Sequence, residues 1–172
     1  MGFSSSSENF FLPYQKRWIE DRSPLKIMEK SRQIGLSWCA SFALVKEQAE
    51  NKTPYDTWVS SRDELQAELF IQDCSNFADI LHSAAQRIDR ALLHEDRPLL
   101  ARTLRFANGR AIHALSSNPN AQAGKRGTRL LDEFALHPDP RELHTIALPG
   151  ITWGGRLEII STHRGVGNFF NE

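Results

Sequence analysis

An α/β fold is predicted for this sequence: a mostly parallel central sheet flanked by helices, with an inserted β-hairpin. Three observations carry that prediction. Short β-type runs alternate with longer stretches of helical periodicity, the pattern of strands joined by helical crossovers. One such run, residues 25–29, passes through a short loop, Lys30–Ser37, directly into a helical stretch. Asn108-Gly109 stands between two short alternating runs, the signature of a tight hairpin turn. With 172 residues, 40% of them hydrophobic and 24% charged, the chain has the size and composition of one globular domain.

The serine-rich residues 1–9 are expected to be a disordered N-terminal segment, and residues 10–172 one ordered domain. A short helix is expected after Pro13. Leu25 to Glu29 reads as a strand. From Ser37 to Glu50, Trp38, Phe42, Val45 and Ala49 fall at helical spacing and form one apolar stripe, with Asn51 and Pro54 ending the helix. Thr57–Ser60 is a second strand. Arg62 to Leu93 is predicted to be helical, starting at Arg62-Asp63-Glu64, where acidic residues suit a helix N-terminus. A break is expected near Cys74–Asn76, because Phe77, Leu81, Ala84, Ile88 and Leu92 begin a new stripe. Thr103–Phe106 and Arg110–Leu115 form the hairpin, Ser116–Gly127 is a polar loop, and Thr128–Leu131 is an apolar strand ending in Asp132-Glu133. Pro138–Leu148 contains a short helix, and Leu157–Ile160 is a last strand running into Ser161–Gly165. Phe169 and Phe170 read as the start of a further apolar-faced element, and the sequence as a fragment of a longer protein.

Charge and cysteine usage narrow the function classes. Lys+Arg and Asp+Glu number 21 each, so any DNA contact must be local, transient or made by an assembly rather than by net charge. Cys39 and Cys74 are too few for a disulfide framework and fit a reducing cytoplasm. No apolar run reaches membrane-spanning length, and the six histidines lack metal-ligand spacing.

A phosphate-holding loop needs a strand that delivers it, a turn with exposed backbone N–H groups and a helix whose N-terminus favours anions. It also needs a lysine for the β/γ-phosphates and a Ser or Thr hydroxyl for magnesium. Strand 25–29, loop 30–36 and helix 37–50 supply that order. Gly35 and Ser37 occupy the terminal Gly and Ser/Thr positions of G-x-x-x-x-G-K-[ST]. Two positions depart from the pattern: Lys30 stands at the first glycine, and Leu36 stands at the lysine. One reading is a degenerate loop without nucleotide. The other moves the cation: Lys30 folds back over the phosphates from the mouth of the loop, and Arg32 adds a bidentate charge.

Magnesium-dependent hydrolysis also needs a carboxylate near the metal and a base for the attacking water. Arg129-Leu130-Leu131-Asp132-Glu133 has the required form, an apolar strand ending in an acidic pair. Asp132 would hold Mg²⁺ with Ser37, and Glu133 would activate the water. Together the loop and the acidic pair predict a P-loop NTPase.

At this point the sequence resembles the ATPase domain of the large terminase subunit of tailed bacteriophages and prophages. Leu12-Pro13-Tyr14-Gln15-Lys16-Arg17-Trp18 is similar to the family's adenine-recognition segment, which implies that Gln15 reads the base; Tyr14 lies either against adenine or in simple packing. Ser31-Arg32-Gln33-Ile34-Gly35-Leu36-Ser37 resembles its phosphate loop, and Lys30 matches the variant with the lysine at the front. Residues 116–127 leading into Asp132-Glu133 resemble the approach to its acidic motif. Ile159-Ile160-Ser161-Thr162-His163-Arg164-Gly165 resembles its coupling motif, with Ser161 and Thr162 the coupling pair.

The resemblance spans residues 10–167. It implies ATP and Mg²⁺ as cofactors, with Tyr14, Gln15, Lys30, Ser31, Arg32, Gln33, Ile34, Gly35, Leu36, Ser37 and Trp38 around the nucleotide. Glu133, Lys30 and Arg32 would be catalytic. It implies a homo-oligomeric motor on the portal protein, working with the small terminase subunit, that drives double-stranded DNA into a capsid in the bacterial cytoplasm. A C-terminal nuclease domain is also implied, although no nuclease activity is expected from these residues. The position that aligns with a trans-acting arginine falls near Ala123, so Lys125 or Arg126 serves instead, or the arginine lies elsewhere.

Plainer readings stand beside these. Trp18, Trp38 and Trp58 read first as packing residues, Cys39 as a buried helix residue and His163 as a surface residue. A helicase-type DNA-dependent ATPase is the rival enzyme, and a nucleotide-free assembly module of the same fold is the rival outside enzymology.

Overall fold

Five parallel strands and two antiparallel ones form one seven-stranded sheet in the computed structural model, which describes residues 10–81, 85–92, 100–115 and 117–172. In chain order the elements are α1 (Pro13–Glu20), β1 (Leu25–Lys30), α2 (Leu36–Ala49), β2 (Thr57–Ser60), α3 (Glu64–Ile80) and β3 (Ala85–Leu92). They continue as β4 (Leu100–Phe106), β5 (Ala111–Leu115), β6 (Thr128–Asp132), α4 (Pro140–Ala147) and β7 (Leu157–Thr162). The sheet order is β1-β7-β6-β2-β5-β4-β3. The first five run parallel, and β4 and β3 add an antiparallel edge. The serine-rich residues 1–9 lie outside the described residues.

Strands β2, β5, β6 and β7 are buried along their whole lengths, as expected where helices or turns cover both faces of a parallel sheet. Successive side chains point to opposite faces. Leu130 and Ile160 therefore meet α1, α2 and α3 on one side, while Leu131, Leu157 and Ile159 meet Phe134, Leu143 and Ala147 on the other. Phe169 and Phe170 pack onto this second cluster, so the expected apolar element is a short 3₁₀ turn that seals it.

The hairpin is present, but it belongs to the main sheet. Gly109, at φ +82°, closes it: its N–H donates to Phe106, whose own N–H donates to Arg110. β5 does not alternate, because it is interior, parallel to β2 and antiparallel to β4.

The helix expected over 62–93 is corrected. Asp63 caps α3 by accepting from Gln66 N–H at 2.9 Å, and the helix then runs unbroken to Ile80 on one stripe of Ala67, Phe70, Ile71, Cys74, Phe77 and Ala78. Residues 85–92 form β3, paired with β4. A spacing of four, as between Ile88 and Leu92, fits one face of a regular strand as well as one face of a helix. Their spacing could not separate the two, and pairing with β4 decides it. Ala84 and Leu93 lie outside the described residues.

The single stripe expected on α2 is also corrected. Leu36, Cys39, Ala40, Leu44, Val45 and Gln48 are buried between the sheet and the neighbouring helices. Trp38 and Phe42 are half-buried against Phe11 and Phe77, and Ala49 is exposed.

Arg129, on β6, is buried with no carboxylate partner among the described residues. Its guanidinium donates to the carbonyls of Ile146 (3.2 Å) and Ala147 at the end of α4, and to that of Lys125. A cation is favourable at a helix C-terminus, where carbonyls lack intrahelical partners. Gly150 must lack a side chain here, since a Cβ would lie 2.6 Å from the guanidinium carbon. Arg129→Met is expected to lower stability by about 3 kcal/mol, by orphaning these carbonyls, and a urea-unfolding midpoint measures it.

Candidate active site

Five of the sequence-predicted residues, Lys30, Ser37, Asp132, Glu133 and Thr162, converge at the C-terminal ends of three adjacent parallel strands, where ligands bind in open α/β sheets. In the register of β1, β7 and β6, Lys30 pairs with Thr162 and Asp132 with Ile160, so the strands end together. Beyond β1 the chain turns through 31–35 into α2. Gln33 (φ +58°) and Gly35 (φ +70°) both adopt left-handed backbone, a conformation that lets successive N–H groups converge on one concavity.

Ser37, in the first turn of α2, donates its hydroxyl to Asp132 Oδ1 at 2.9 Å. Burial pushes the Asp132 carboxyl up to about 6 against the lowering effect of Ser37 and Lys30. A buried carboxylate beside a hydroxyl is a hard-oxygen pair that suits Mg²⁺, which usually takes one or two protein carboxylates and completes its shell with water and phosphate.

Glu133 follows immediately and sits at φ +51°, an uncommon conformation for a non-glycine residue. That turn aims its carboxylate back across the strand ends. Oε1 receives Lys30 Nζ at 2.5 Å, and Oε2 receives the Thr162 hydroxyl at 3.2 Å and the Thr162 N–H at 3.4 Å. Burial pushes the Glu133 pKa upward, but Lys30 and Thr162 outweigh it and hold the group below its ordinary value. The backbone behind the pair is braced by buried His137, whose Nε2 lies 3.1 Å from the Asp132 carbonyl; burial lowers its pKa, which favours the neutral ring.

A cleft of about 420 Å³ opens at Lys30 and Thr162, the two partners of the Glu133 carboxylate, and is lined by Glu29, Lys30, Ser31, Arg32, Thr162 and His163. Arg32 is exposed there with no ion pair among the described residues. A carboxylate that can accept a proton, two cations, a hydroxyl–carboxylate pair and a loop of amides are the groups that polyphosphate chemistry requires.

The N-terminal family model of the large terminase subunit, T4likevirus type, matches residues 27–170. The chain belongs to this large-terminase family. It is 38% identical over 164 residues to the Mu-like prophage FluMu protein gp28 of Haemophilus influenzae, covering 94% of this chain and 32% of that protein. It is 37% identical over 174 residues to the probable terminase large subunit gp28 of Escherichia phage Mu, covering 96% of this chain and 31% of that one. The chain therefore spans about a third of the length of these relatives. In structure it is similar to the large terminase ATPase domain of Thermus phage P74-26, with TM-score 0.65, 20% identity, and coverage of 91% of this chain and 66% of that one. The P-loop fold predicted from the strand–loop–helix order is the fold of that domain.

Within this terminase domain several sequence-predicted contacts fall elsewhere. Leu36 is 1% exposed and Ile34 packs on the same core, so neither side chain lines the cleft. Trp38 packs among Phe10, Phe11 and Phe77. Ser161 and Thr162 do different things: Thr162 holds Glu133, whereas Ser161 accepts from Ala135 N–H at 2.9 Å on the far side of the strand. Gln15 is buried beneath the loop and does not line the cleft. Arg126 precedes β6 and lies over the exposed ring of Trp153, at the opposite end of that strand from Glu133. His163, read as a surface residue, is exposed but lines the cleft. Glu29 and His137 were not found from sequence: Glu29 looks like any strand residue, and His137 is placed only by folding.

Proposed function

We propose that this domain is the ATP-hydrolysing motor of a phage or prophage large terminase, coupling Mg-ATP hydrolysis to translocation of double-stranded DNA into a capsid. The observation that carries the reading is the convergence of Lys30, Ser37, Asp132, Glu133 and Thr162 at one sheet end. The loop amides, Lys30 and Arg32 bind the β- and γ-phosphates and offset charge that develops during transfer, where electrostatics usually supplies most of the catalysis. Ser37 and Asp132 would hold Mg²⁺, which supplies charge neutralisation between the phosphates when bound.

Lys30 is shared between two partners. As phosphate oxygens draw its ammonium, Glu133 Oε1 is left to orient a water molecule. Attack of that water on the γ-phosphorus breaks the bond to the β–γ bridging oxygen; Glu133 takes the proton, and ADP and phosphate depart. Thr162, at the end of β7, feels the same carboxylate and is the proposed link from phosphate state to movement, with Ser161 tying that strand end to the turn after Glu133.

The working assembly is a homo-oligomer in the host cytoplasm, docked on the portal of a procapsid with the small terminase subunit. Arg126 is too far along β6 to serve its own cleft, so a catalytic role for it requires a neighbouring subunit. ATP turnover by the purified chain tests the reading. Glu133→Ala is expected to cut turnover by about 10²–10⁴-fold while nucleotide binding persists. Absence of both binding and turnover in the wild type, alone and when assembled, would leave the assembly-module reading instead.

A further inference from the structure

A second cavity, of about 330 Å³, opens at the opposite end of the sheet, where the chain enters β1, β2, β6 and β7. It lies one strand length, about 20 Å, from the Lys30 cleft. Three cations line it: Arg22 before β1, Lys52 before β2 and Arg156 before β7. Of the residues lining it only Glu47 is acidic, and that carboxylate is already engaged. Arg156 donates to Glu47 and lies 3.4 Å from Glu158, which pairs with Lys26 at 3.1 Å. Two cations and two carboxylates thus close into a neutral set that fixes the Arg156 guanidinium in the wall. Arg22 and Lys52 stand outside that balance. Both are exposed; Arg22 has no ion pair among the described residues, and Lys52 shares Glu50 with Lys46. The neighbouring Asp21 carboxylate accepts from Ser23 N–H at 2.8 Å. A Cβ added at Gly155 would lie 2.3 Å from the Gly127 carbonyl oxygen, so the chain before β6 lies directly against this wall. That chain carries Lys125 and Arg126, which lie over the rings of Trp58 and Trp153.

We propose that this cavity is a second anion site, which binds a phosphate group between Arg22, Lys52 and Arg156. In a chain whose formal net charge is zero, three cations against one engaged carboxylate are a local excess. Guanidinium groups present paired N–H donors to phosphate oxygens, and the Lys52 ammonium adds a point charge. Two sources share that chemistry: free inorganic phosphate, and a phosphate within a polynucleotide backbone, whose next phosphates Lys125 and Arg126 are placed to meet. The site stands apart from the nucleotide reading of the Lys30 cleft and does not depend on it.

The test is a titration of the chain followed by its backbone amide NMR signals. Those of Thr53, Gly154 and Gly155 report this cavity, and those of Ser31 and Arg32 report the Lys30 cleft. Inorganic phosphate at constant ionic strength, then a short DNA duplex, are added to the wild type, to Arg22→Ala/Lys52→Ala and to the charge-keeping Arg22→Lys/Lys52→Arg. Both side chains are exposed, so thermal melts close to wild type are expected. The cavity amides are expected to shift. The alanine pair should weaken that binding about tenfold and lower the slope of log affinity for the duplex against log salt by about two. The charge-keeping pair should retain both. A response to inorganic phosphate shows that the free ion suffices, and a response to the duplex alone places the phosphate in a polynucleotide backbone. Cavity amides that answer neither probe overturn the proposal, as does an undiminished response in the folded alanine pair. A response to polyglutamate and to neither phosphate source overturns it in favour of a carboxylate partner. Silence at Ser31 and Arg32 bears only on the nucleotide reading.

Discussion

Replacing Lys30 with alanine is expected to lower kcat/KM for ATP by about 10³-fold, the scale on which a preorganised charge at a transferring group acts. Lys30 is the point at which this loop departs furthest from the usual pattern. The usual lysine position holds Leu36, which is 1% exposed and packed with Cys39 and Trp18, so no side chain there serves a phosphate. Lys30, by contrast, ends β1 with its ammonium 2.5 Å from Glu133 and on the wall of the cleft. Two consequences separate this from a merely structural loss. Lys30→Ala combined with Glu133→Ala should be little worse than either alone, because the two groups act as one unit. Restoring a lysine by Leu36→Lys in the Lys30→Ala background should not recover activity and should destabilise the chain, because it puts a charge into the core. Steady-state turnover with a thermal melt on each variant reads both. Activity within about threefold of wild type in Lys30→Ala would mean that Arg32 alone supplies the cation.

The parts of this molecule that were legible from sequence are those fixed by local chemistry. The Asp63 cap, the Asn-Gly turn, the β1–loop–α2 order and the apolar run before Asp132-Glu133 each follow from neighbouring residues. What was not legible depends on partners distant in the chain. β3 was mistaken for helix because only pairing with β4 distinguishes the two. In β1 Leu25 and Ile27 are exposed, while Lys26 is buried against Glu158 at 3.1 Å and over the ring of Trp18. That pairing comes from the neighbouring strand β7, and nothing in residues 25–30 announces it. The site shows the same division. Lys30, Ser37, Asp132, Glu133 and Thr162 lie together as the motifs lead one to expect, whereas the direction in which the Gln15 amide faces is a property of packing rather than of motif.

Asp132→Asn is expected to stabilise the fold at neutral pH in metal-free buffer while destroying Mg-dependent nucleotide binding. The carboxyl is buried, and burial is the main reason its pKa is raised from 3.8 to about 6. The folded chain therefore holds this proton more tightly than the unfolded chain does. Its contribution to stability is full below pH 4, declines as pH rises through about 4 to 6, and is absent above that window. Two units correspond to about 3 kcal/mol, the cost of keeping the charged form buried at neutral pH. An asparagine has no charge to bury, and its side-chain oxygen can still accept from Ser37. In buffer with chelator at pH 7.5 the variant should therefore melt several degrees above wild type, with the difference shrinking toward zero near pH 4. Adding Mg²⁺ and nucleotide should reverse the order, because ligands that bind only the folded state stabilise it and only the wild type presents the carboxylate. A variant that melts below wild type in chelator at neutral pH would show that Asp132 carries no burial penalty. The raised pKa and the reversal are thus two faces of one arrangement: a carboxylate kept in a place that is unfavourable for it until a cation arrives.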